Sequence, residues 1–167
     1  MRTVRDIRGI TLVELMTVVA ILSVLLVILG FSFQGWLAKY KVEDQTKRLH
    51  ADLSDARARA MQKKRMTFVD LAARQYRTFE DTNTGPDGNG VYEQAADTGV
   101  ANTTTSYDIV PTLNPVVTQF AFDREGLATV TGTIRLDSTL SPDYDCITIQ
   151  PTRIRIGRFD GANCQEK

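Results

Sequence analysis

Residues 8–38 read RGITLVELMTVVAILSVLLVILGFSFQGWLA, and this stretch decides the fold. After Glu14 the next charged residue is Lys39, so 24 consecutive residues, 15–38, carry no charge. About 20 apolar residues in a helix are enough to cross the hydrocarbon core of a bilayer. We therefore expect a hydrophobic helix over residues 10–38 that spans a membrane, which argues against a purely soluble globular protein.

The residues ahead of the apolar run set its orientation. Residues 1–9 carry three basic residues, Arg2, Arg5 and Arg8, against one acid, Asp6. Basic residues that flank a span are held on the cytoplasmic side. We expect a cytoplasmic N-terminus, a single membrane pass and an extracytoplasmic remainder. An ordinary cleaved secretory signal is the alternative, but the run ends in bulky aromatic residues where such a signal has small ones.

A helical pattern continues beyond the apolar run. No proline occurs in residues 1–62, and apolar residues recur at offsets of 7, 4, 3 and 4, which trace one helix face. These residues are Val42, Leu49, Leu53, Ala56 and Ala60. We expect one helix from Ile10 to about Lys64, whose amphipathic stem, residues 39–65, packs this face on the C-terminal part. The single histidine, His50, is expected to be a solvated stem residue.

From residue 66 onward the pattern becomes that of short strands. Turn residues separate seven strand candidates: 67–71, 75–79, 107–110, 116–122, 132–136, 146–150 and 153–159. Residues 66–167 are therefore expected to form a β-rich globular head. The fold class expected is α+β, with a long N-terminal helix, half transmembrane and half amphipathic, packed on a mainly antiparallel β head.

Charge is distributed unevenly along a chain whose 20 basic and 20 acidic residues cancel. Residues 39–65 carry nine basic and four acidic residues, whereas residues 66–167 carry eight basic and fourteen acidic ones. The favoured interpretation is that these charged faces are exposed to solvent and that the basic stem of one subunit attracts the acidic head of another. A basic stripe that binds nucleic acid is the alternative.

The chain lacks the residue sets of common catalytic sites. It has no HExxH sequence and no phosphate-binding glycine loop, and a single histidine on the stem cannot serve a triad. We expect no enzyme and no cofactor.

The loop over residues 81–93 contains oxygen ligands that calcium accepts, at Asp81, Asn83, Asp87 and Asn89, but their spacing is not that of an EF-hand. A plain turn is favoured there, and calcium binding is left open.

The sequence Arg8-Gly9-Ile10-Thr11-Leu12-Val13-Glu14-Leu15-Met16 closely resembles the class III signal of type IV pilins and type II secretion pseudopilins. The resemblance implies that a prepilin peptidase cuts after Gly9, removes the cytoplasmic leader 1–9 and methylates the new N-terminus at Ile10. It also implies that Glu14, with Thr11 beside it, acts in assembly. The Glu14 carboxylate would neutralise the N-terminal amine of a neighbouring subunit, and pairing in a low dielectric would set the axial register.

The head resembles one subgroup of that superfamily, the GspH/FimT-type minor pilins and pseudopilins. The residues that carry the resemblance are FAFDREGLA at 120–128, GTIRL at 132–136, CITI at 146–149 and RIRIG at 153–157, followed by Cys164. The resemblance implies a structural minor subunit of a type IV pilus or a type II secretion pseudopilus, in its tip or initiation complex. Its implied partners are the prepilin peptidase, other pilins or pseudopilins and the inner membrane. The head is then expected in the periplasm, and the mature subunit in the fibre.

The alternative function is a minor pilin that captures DNA for uptake. Thr152-Arg153-Ile154-Arg155 matches three of the four positions of the Gly-Arg-x-Arg motif by which some members of this subgroup bind DNA. Arg153 and Arg155 would point to one face of a strand, with Arg158 close by. The competing interpretation is that these arginines pair with head acids such as Asp145 or Asp160, or bridge to the next subunit.

Two cysteines lie in the head, Cys146 and Cys164. An even count on the side of the membrane predicted to be oxidising favours a disulfide between them. Closing this loop would stabilise the head by about 3 kcal/mol. A zinc site is not expected, because no histidine lies near either cysteine in the sequence, and we expect no bound metal.

Overall fold

The computed structural model describes residues 9–83, 85 and 88–167, with the side chains of residues 28–32 left out. The basic residues of the expected leader, Arg2, Arg5 and Arg8, lie outside the described residues. The chain divides into two compact units, one ending at Ala38 and the other running from Lys39 to Lys167.

A single long helix, α1, runs from Leu12 to Lys63. It confirms the helix predicted over residues 10–64. Lys64, which follows the last helical residue, has a positive φ of 55°, a conformation common at helix C-termini. None of the described helical segments combines the length and the apolarity that crossing a bilayer requires.

The apolar face predicted for the stem is confirmed. All five of its residues are at most 2% exposed, and they belong to the main hydrophobic core of the second unit: Val42, Leu49, Leu53, Ala56 and Ala60. The 3.6-residue period of the helix brings these side chains onto one side. The stem thus supplies one wall of the core of the head.

Nine strands form two antiparallel sheets in the described part of the head. The strands are β1 (Thr67–Ala72), β2 (Gln75–Glu80), β3 (Thr98–Thr104), β4 (Asp108–Asn114), β5 (Gln119–Phe122), β6 (Thr131–Asp137), β7 (Cys146–Gln150), β8 (Arg153–Phe159) and β9 (Cys164–Glu166). One sheet has the order β3-β2-β1-β5 and the other β4-β6-β7-β8-β9. The α+β class with a mainly antiparallel head is confirmed.

Two strands were missed, β7 and β8 have the predicted ends, and of the other five predicted strands β4 and β5 differ at one end by three residues or more. β3 and β9 were not predicted. β4 continues through Pro111, which was expected to end it, because an edge strand can leave a position without an N–H donor. β5 begins only at Gln119, since the exposed Val116 and its neighbours form a loop.

Polar contacts fix the stem to the head. The Tyr76 hydroxyl donates to Asp52 Oδ2 at 2.6 Å, and burial together with this bond raises the pKa of Tyr76. At the end of α1, Lys63 Nζ donates to both carboxylate oxygens of the buried Glu80 at 2.7 Å. The expectation that His50 is solvated is wrong: the ring is half-buried, and Nε2 lies 3.4 Å from the carbonyl oxygen of Ile154.

Candidate assembly and nucleic-acid interfaces

The expected cleavage point lies just ahead of α1. Gly9 and Ile10 are exposed and not helical, and a Cβ built on Gly9 would meet no described atom within 4 Å. The helix begins three residues after Gly9, at Leu12. The backbone around the Gly9–Ile10 bond is therefore accessible in this structure.

Thr11 is the N-cap of α1. Its Oγ1 accepts a hydrogen bond from the Glu14 N–H at 3.3 Å, and its carbonyl accepts from the Leu15 N–H at 3.2 Å. Thr-x-x-Glu is the sequence of a capping box, in which the threonine satisfies one of the unpaired N–H groups at the start of a helix. Thr11, proposed above for assembly, thus has a local structural role of its own.

Glu14 lies in the first turn of α1 and is exposed. Its carbonyl accepts a hydrogen bond from the Thr17 hydroxyl at 2.9 Å. A carboxylate in the first turn also interacts favourably with the helix dipole. The Glu14 side chain is available to a partner group near the helix start.

The predicted arginine strand is confirmed as β8, with Arg153 and Arg155 both exposed. Alternation along the strand places Arg153 and Arg155 on the outer face of their sheet, while Ile154 packs against the core. Arg153 Nε donates to Gln150 Oε1, and Arg155 pairs with Glu166 at 3.0 Å. Both guanidinium groups therefore engage neighbours on the same sheet.

Arg158 does not join the other two arginines. It is an odd number of residues from Arg153 and Arg155, so alternation turns its side chain toward the opposite face. The three arginines form no single patch on β8.

Asp145 and Asp160, the acids expected to pair with the arginines, accept their hydrogen bonds mainly from backbone groups, and of the three arginines Arg158 interacts electrostatically with Asp145. Asp145 accepts from the Phe159 N–H at 2.6 Å, and burial raises its pKa. Asp160 accepts from the N–H groups of Ala162 and Asn163, and these bonds lower its pKa to about 2.

The disulfide between Cys146 and Cys164 is present, with a Cα–Cα distance of 5.9 Å. It joins β7 to β9 across β8, where Gly157 pairs with Cys146 on one side and with Glu166 on the other. A Cβ on Gly157 would lie 2.2 Å from the Gln165 carbonyl oxygen and 3.0 Å from Cys164 Sγ. The glycine is needed because the neighbouring strand β9 and the disulfide that crosses β8 leave no room for a Cβ.

The loop after β2 is organised around Asp81, which is fully buried. The Asp81 carboxylate accepts hydrogen bonds from the N–H groups of Asn89 at 3.0 Å and Gly90 at 2.6 Å. Asn83 and Asn89 both donate to the carboxylate of Glu93. The carboxylates of Asp81 and Glu93 are thus engaged by hydrogen bonds within the loop, and Asp87 lies outside the described residues. No cluster of three or more His, Cys, Asp or Glu residues suited to a metal occurs in the described parts of the chain.

Two family models match the chain. One, described as type II transport protein GspH, matches residues 45–153, and the other, described as the prokaryotic N-terminal methylation motif, matches residues 4–30. Searches of curated proteins and of solved structures gave no match. The GspH match covers most of the stem and the head down to Arg153, and the motif match covers the proposed cleavage point. The chain therefore belongs to the GspH family and is a minor pseudopilin or pilin subunit, a structural protein rather than a member of a known enzyme family.

Proposed function

We propose that the chain is made as a membrane-anchored precursor, is cut by a prepilin peptidase between Gly9 and Ile10, is methylated at Ile10 and joins a fibre with related subunits. The observation that carries the proposal is the start of α1. An exposed, non-helical Gly9–Ile10 bond stands next to a Thr11-capped helix that presents Glu14 in its first turn. Family membership supports a peptidase and other pilins or pseudopilins as the partners.

The anchoring part of the proposal rests on residues 10–38. The described side chains from Leu12 to Val27 are exposed and mainly apolar, which suits a surface covered by lipid before assembly and by neighbouring helices afterwards. With the basic leader in the cytoplasm, the head would lie in the periplasm.

Glu14 has the central role in assembly. Cutting after Gly9 would leave the new amine of Ile10 four residues ahead of this carboxylate. In an apolar fibre core, a charged amine and a charged carboxylate are both unfavourable unless each is paired with a group of opposite charge. The Glu14 carboxylate of one subunit would therefore pair with the Ile10 amine of its neighbour, and only one axial position satisfies both groups.

The test compares fibre incorporation of Glu14→Gln with that of Ser23→Ala in cells that make the fibre. Glu14→Gln keeps the size of the side chain and removes its charge. Ser23→Ala removes another exposed polar group of α1, whose hydroxyl donates to the Val19 carbonyl at 2.7 Å. We expect Glu14→Gln to be inserted and cut normally but to co-purify with fibres at least tenfold less, and Ser23→Ala to behave as wild type. Equal co-purification of the two variants would contradict the pairing.

DNA capture is the second candidate function, favoured by one observation: Arg153 and Arg155 are exposed on one face of β8. Against it, Arg155 already pairs with Glu166, and Arg158 lies toward the other face. The exposed arginines of β8 could neutralise no more than about two or three phosphates, which is too few for detectable binding. We therefore favour the role of a structural fibre subunit over that of a DNA receptor.

A further inference from the structure

The last strand, β9, buries little apolar surface against the head. Its three residues, Cys164–Glu166, are half-buried or exposed, and none of them has a large apolar side chain. None of them belongs to either hydrophobic cluster of the described head. Burial of apolar surface is the main force that holds a strand against its sheet, and β9 contributes almost none of it.

The ion pairs at this end of the chain are also exposed. Glu166 pairs with Arg155, whose side chain is 50% exposed. Lys167 pairs with Asp143, whose side chain is 68% exposed. Such pairs contribute little stability because water solvates both groups. Ordering residues 160–167 costs conformational entropy, which these contacts offset only weakly.

Backbone pairing with β9 covers only part of β8. β9 pairs with residues 157–159, and the Lys167 N–H donates to the Ile156 carbonyl at 3.2 Å. On its other side β8 pairs with β7 through residues 153–157. We therefore expect β8 to keep its place in the sheet through β7 when β9 is detached.

The disulfide is the covalent cross-link between β9 and the core. It joins Cys164 to Cys146, which is fully buried in β7. β7 lies between β6 and β8, and its residues Ile147 and Ile149 belong to the main hydrophobic core. Cys146 is thus held by its own strand, whereas the half-buried Cys164 lies on a strand that has little else to hold it.

We propose that residues 164–167 form a strap that the disulfide locks onto β8, and that reduction of the disulfide releases this strap while the rest of the head stays folded. Reduction requires two electrons and two protons, which a dithiol supplies. One thiolate of the dithiol attacks Cys164 Sγ, and Cys146 leaves and takes up a proton. The second thiol of the reductant then displaces Cys164, and the reductant becomes a disulfide. Closing runs the same exchange in reverse, with an oxidising disulfide as the acceptor.

Release changes the edge of the five-stranded sheet. Arg155 loses its partner Glu166, and β8 becomes the edge of a four-stranded sheet. Disulfides persist in oxidising compartments and not in reducing ones. The strap would therefore close only when the head reaches the periplasm, a consequence that rests on the location proposed above. The switch itself does not depend on cleavage after Gly9, so the two proposals can fail separately.

Hydrogen–deuterium exchange of the full chain in detergent tests the strap. The samples are oxidised wild type, wild type in excess dithiothreitol, and a Cys146→Ala, Cys164→Ser double variant, in which alanine avoids burying a hydroxyl. We expect the amides of residues 156–159 and 164–167 to exchange about tenfold faster or more in the reduced protein and in the double variant. Exchange in β1 and β6 should change by less than about twofold.

Glu166→Gln is the matched control, because it removes the ion pair with Arg155 and keeps the disulfide. Its exchange should stay within about twofold of oxidised wild type, since an exposed ion pair contributes little. Labelling of reduced wild type with iodoacetamide gives a second measurement. Cys164 should react about tenfold faster or more than Cys146, which stays buried in β7.

Unchanged exchange at residues 156–159 after reduction would overturn the proposal, because β9 would then hold without the disulfide. A similar rise in β1, β6 and β8, or equal labelling of the two cysteines, would also overturn it, because the whole head would have opened. Fast exchange in Glu166→Gln with the disulfide closed would show that the ion pair, and not the disulfide, locks the strap.

Discussion

Gly157 shows how one missing side chain permits β9 to pair closely beside β8. β9 and the disulfide lie so near its backbone that any Cβ would collide with the Gln165 carbonyl. The sequence contains Gly157 but does not show what lies against it, because that depends on pairing with residues at the C-terminus.

We predict that Gly157→Ala lowers the free energy of unfolding by about 1–3 kcal/mol, the usual cost of forcing an extra methyl group into a packed site. The matched control is Gly99→Ala, whose added Cβ would meet only the Phe79 ring at an ordinary distance of 3.7 Å. Denaturant unfolding of both variants checks this. Similar stability of the two variants would contradict the account of Gly157.

Several single residues could be recognised from the sequence, and others could not. Gly9, Glu14 and the cysteine pair stand out because each is an unusual residue type in its surroundings. The engagement of Arg155 by Glu166 was not visible, since it requires β9 to lie beside β8. Asp81 was considered as a calcium ligand, whereas its carboxylate binds the backbone of its own loop.

The end of α1 is joined to β2 through a buried carboxylate. Glu80, with 7% of its side chain exposed, is bound by Lys63 and has Arg59 at 3.6 Å. A nearly buried carboxylate that loses one cation keeps its desolvation cost and loses charge-assisted hydrogen bonds. This contact therefore fixes where the stem ends against the head.

We predict that Lys63→Met lowers the free energy of unfolding by about 1–3 kcal/mol. Lys41→Met, at an exposed helical lysine, should change it by less than about 0.5 kcal/mol. A double-mutant cycle with Glu80→Gln isolates the pair, and the double variant should be more stable than the sum of the single changes predicts. Additive losses would show that the pair contributes nothing.

At the level of elements, the sequence predicted the helix and most strands because their patterns are strong. The stem face was visible from its helical period, and β7 and β8 from alternating isoleucines. β3 was missed because TGVANTT is neither apolar nor alternating, and its place at a sheet edge requires no such pattern. β9 has only three residues, and its disulfide to β7 rather than a local pattern marks its position.

The whole molecule combines a basic stem with an acidic head. Some of the basic stem residues interact with residues of the head in the same chain. Lys63 and Arg59 of the stem meet Glu80 of the head, and Lys47 lies 4.9 Å from the ring of Tyr144. The head offers only scattered cations to an anionic partner. Its overall charge of eight basic against fourteen acidic residues opposes contact with a polyanion.

We predict that the full chain in detergent does not bind double-stranded DNA in a fluorescence-anisotropy titration, even at about 50 mM salt, where phosphate contacts are strong. The decisive variants are Arg153→Ala with Arg155→Ala, compared with Arg158→Ala on the other face of β8. Binding that is lost in the double variant and kept in Arg158→Ala would instead establish a DNA receptor.

The intact mass of protein extracted from the membranes of cells that make the fibre tests the central claim most directly. The proposal requires that the mature chain begin at Ile10, because Glu14 can pair with a neighbour's N-terminal amine only if the leader has been removed. We predict a mass that corresponds to loss of residues 1–9 and gain of one methyl group, and an uncut chain in Gly9→Leu. An N-terminus that remains at Met1, or one that lies beyond Phe31 as after an ordinary secretory signal, would contradict it.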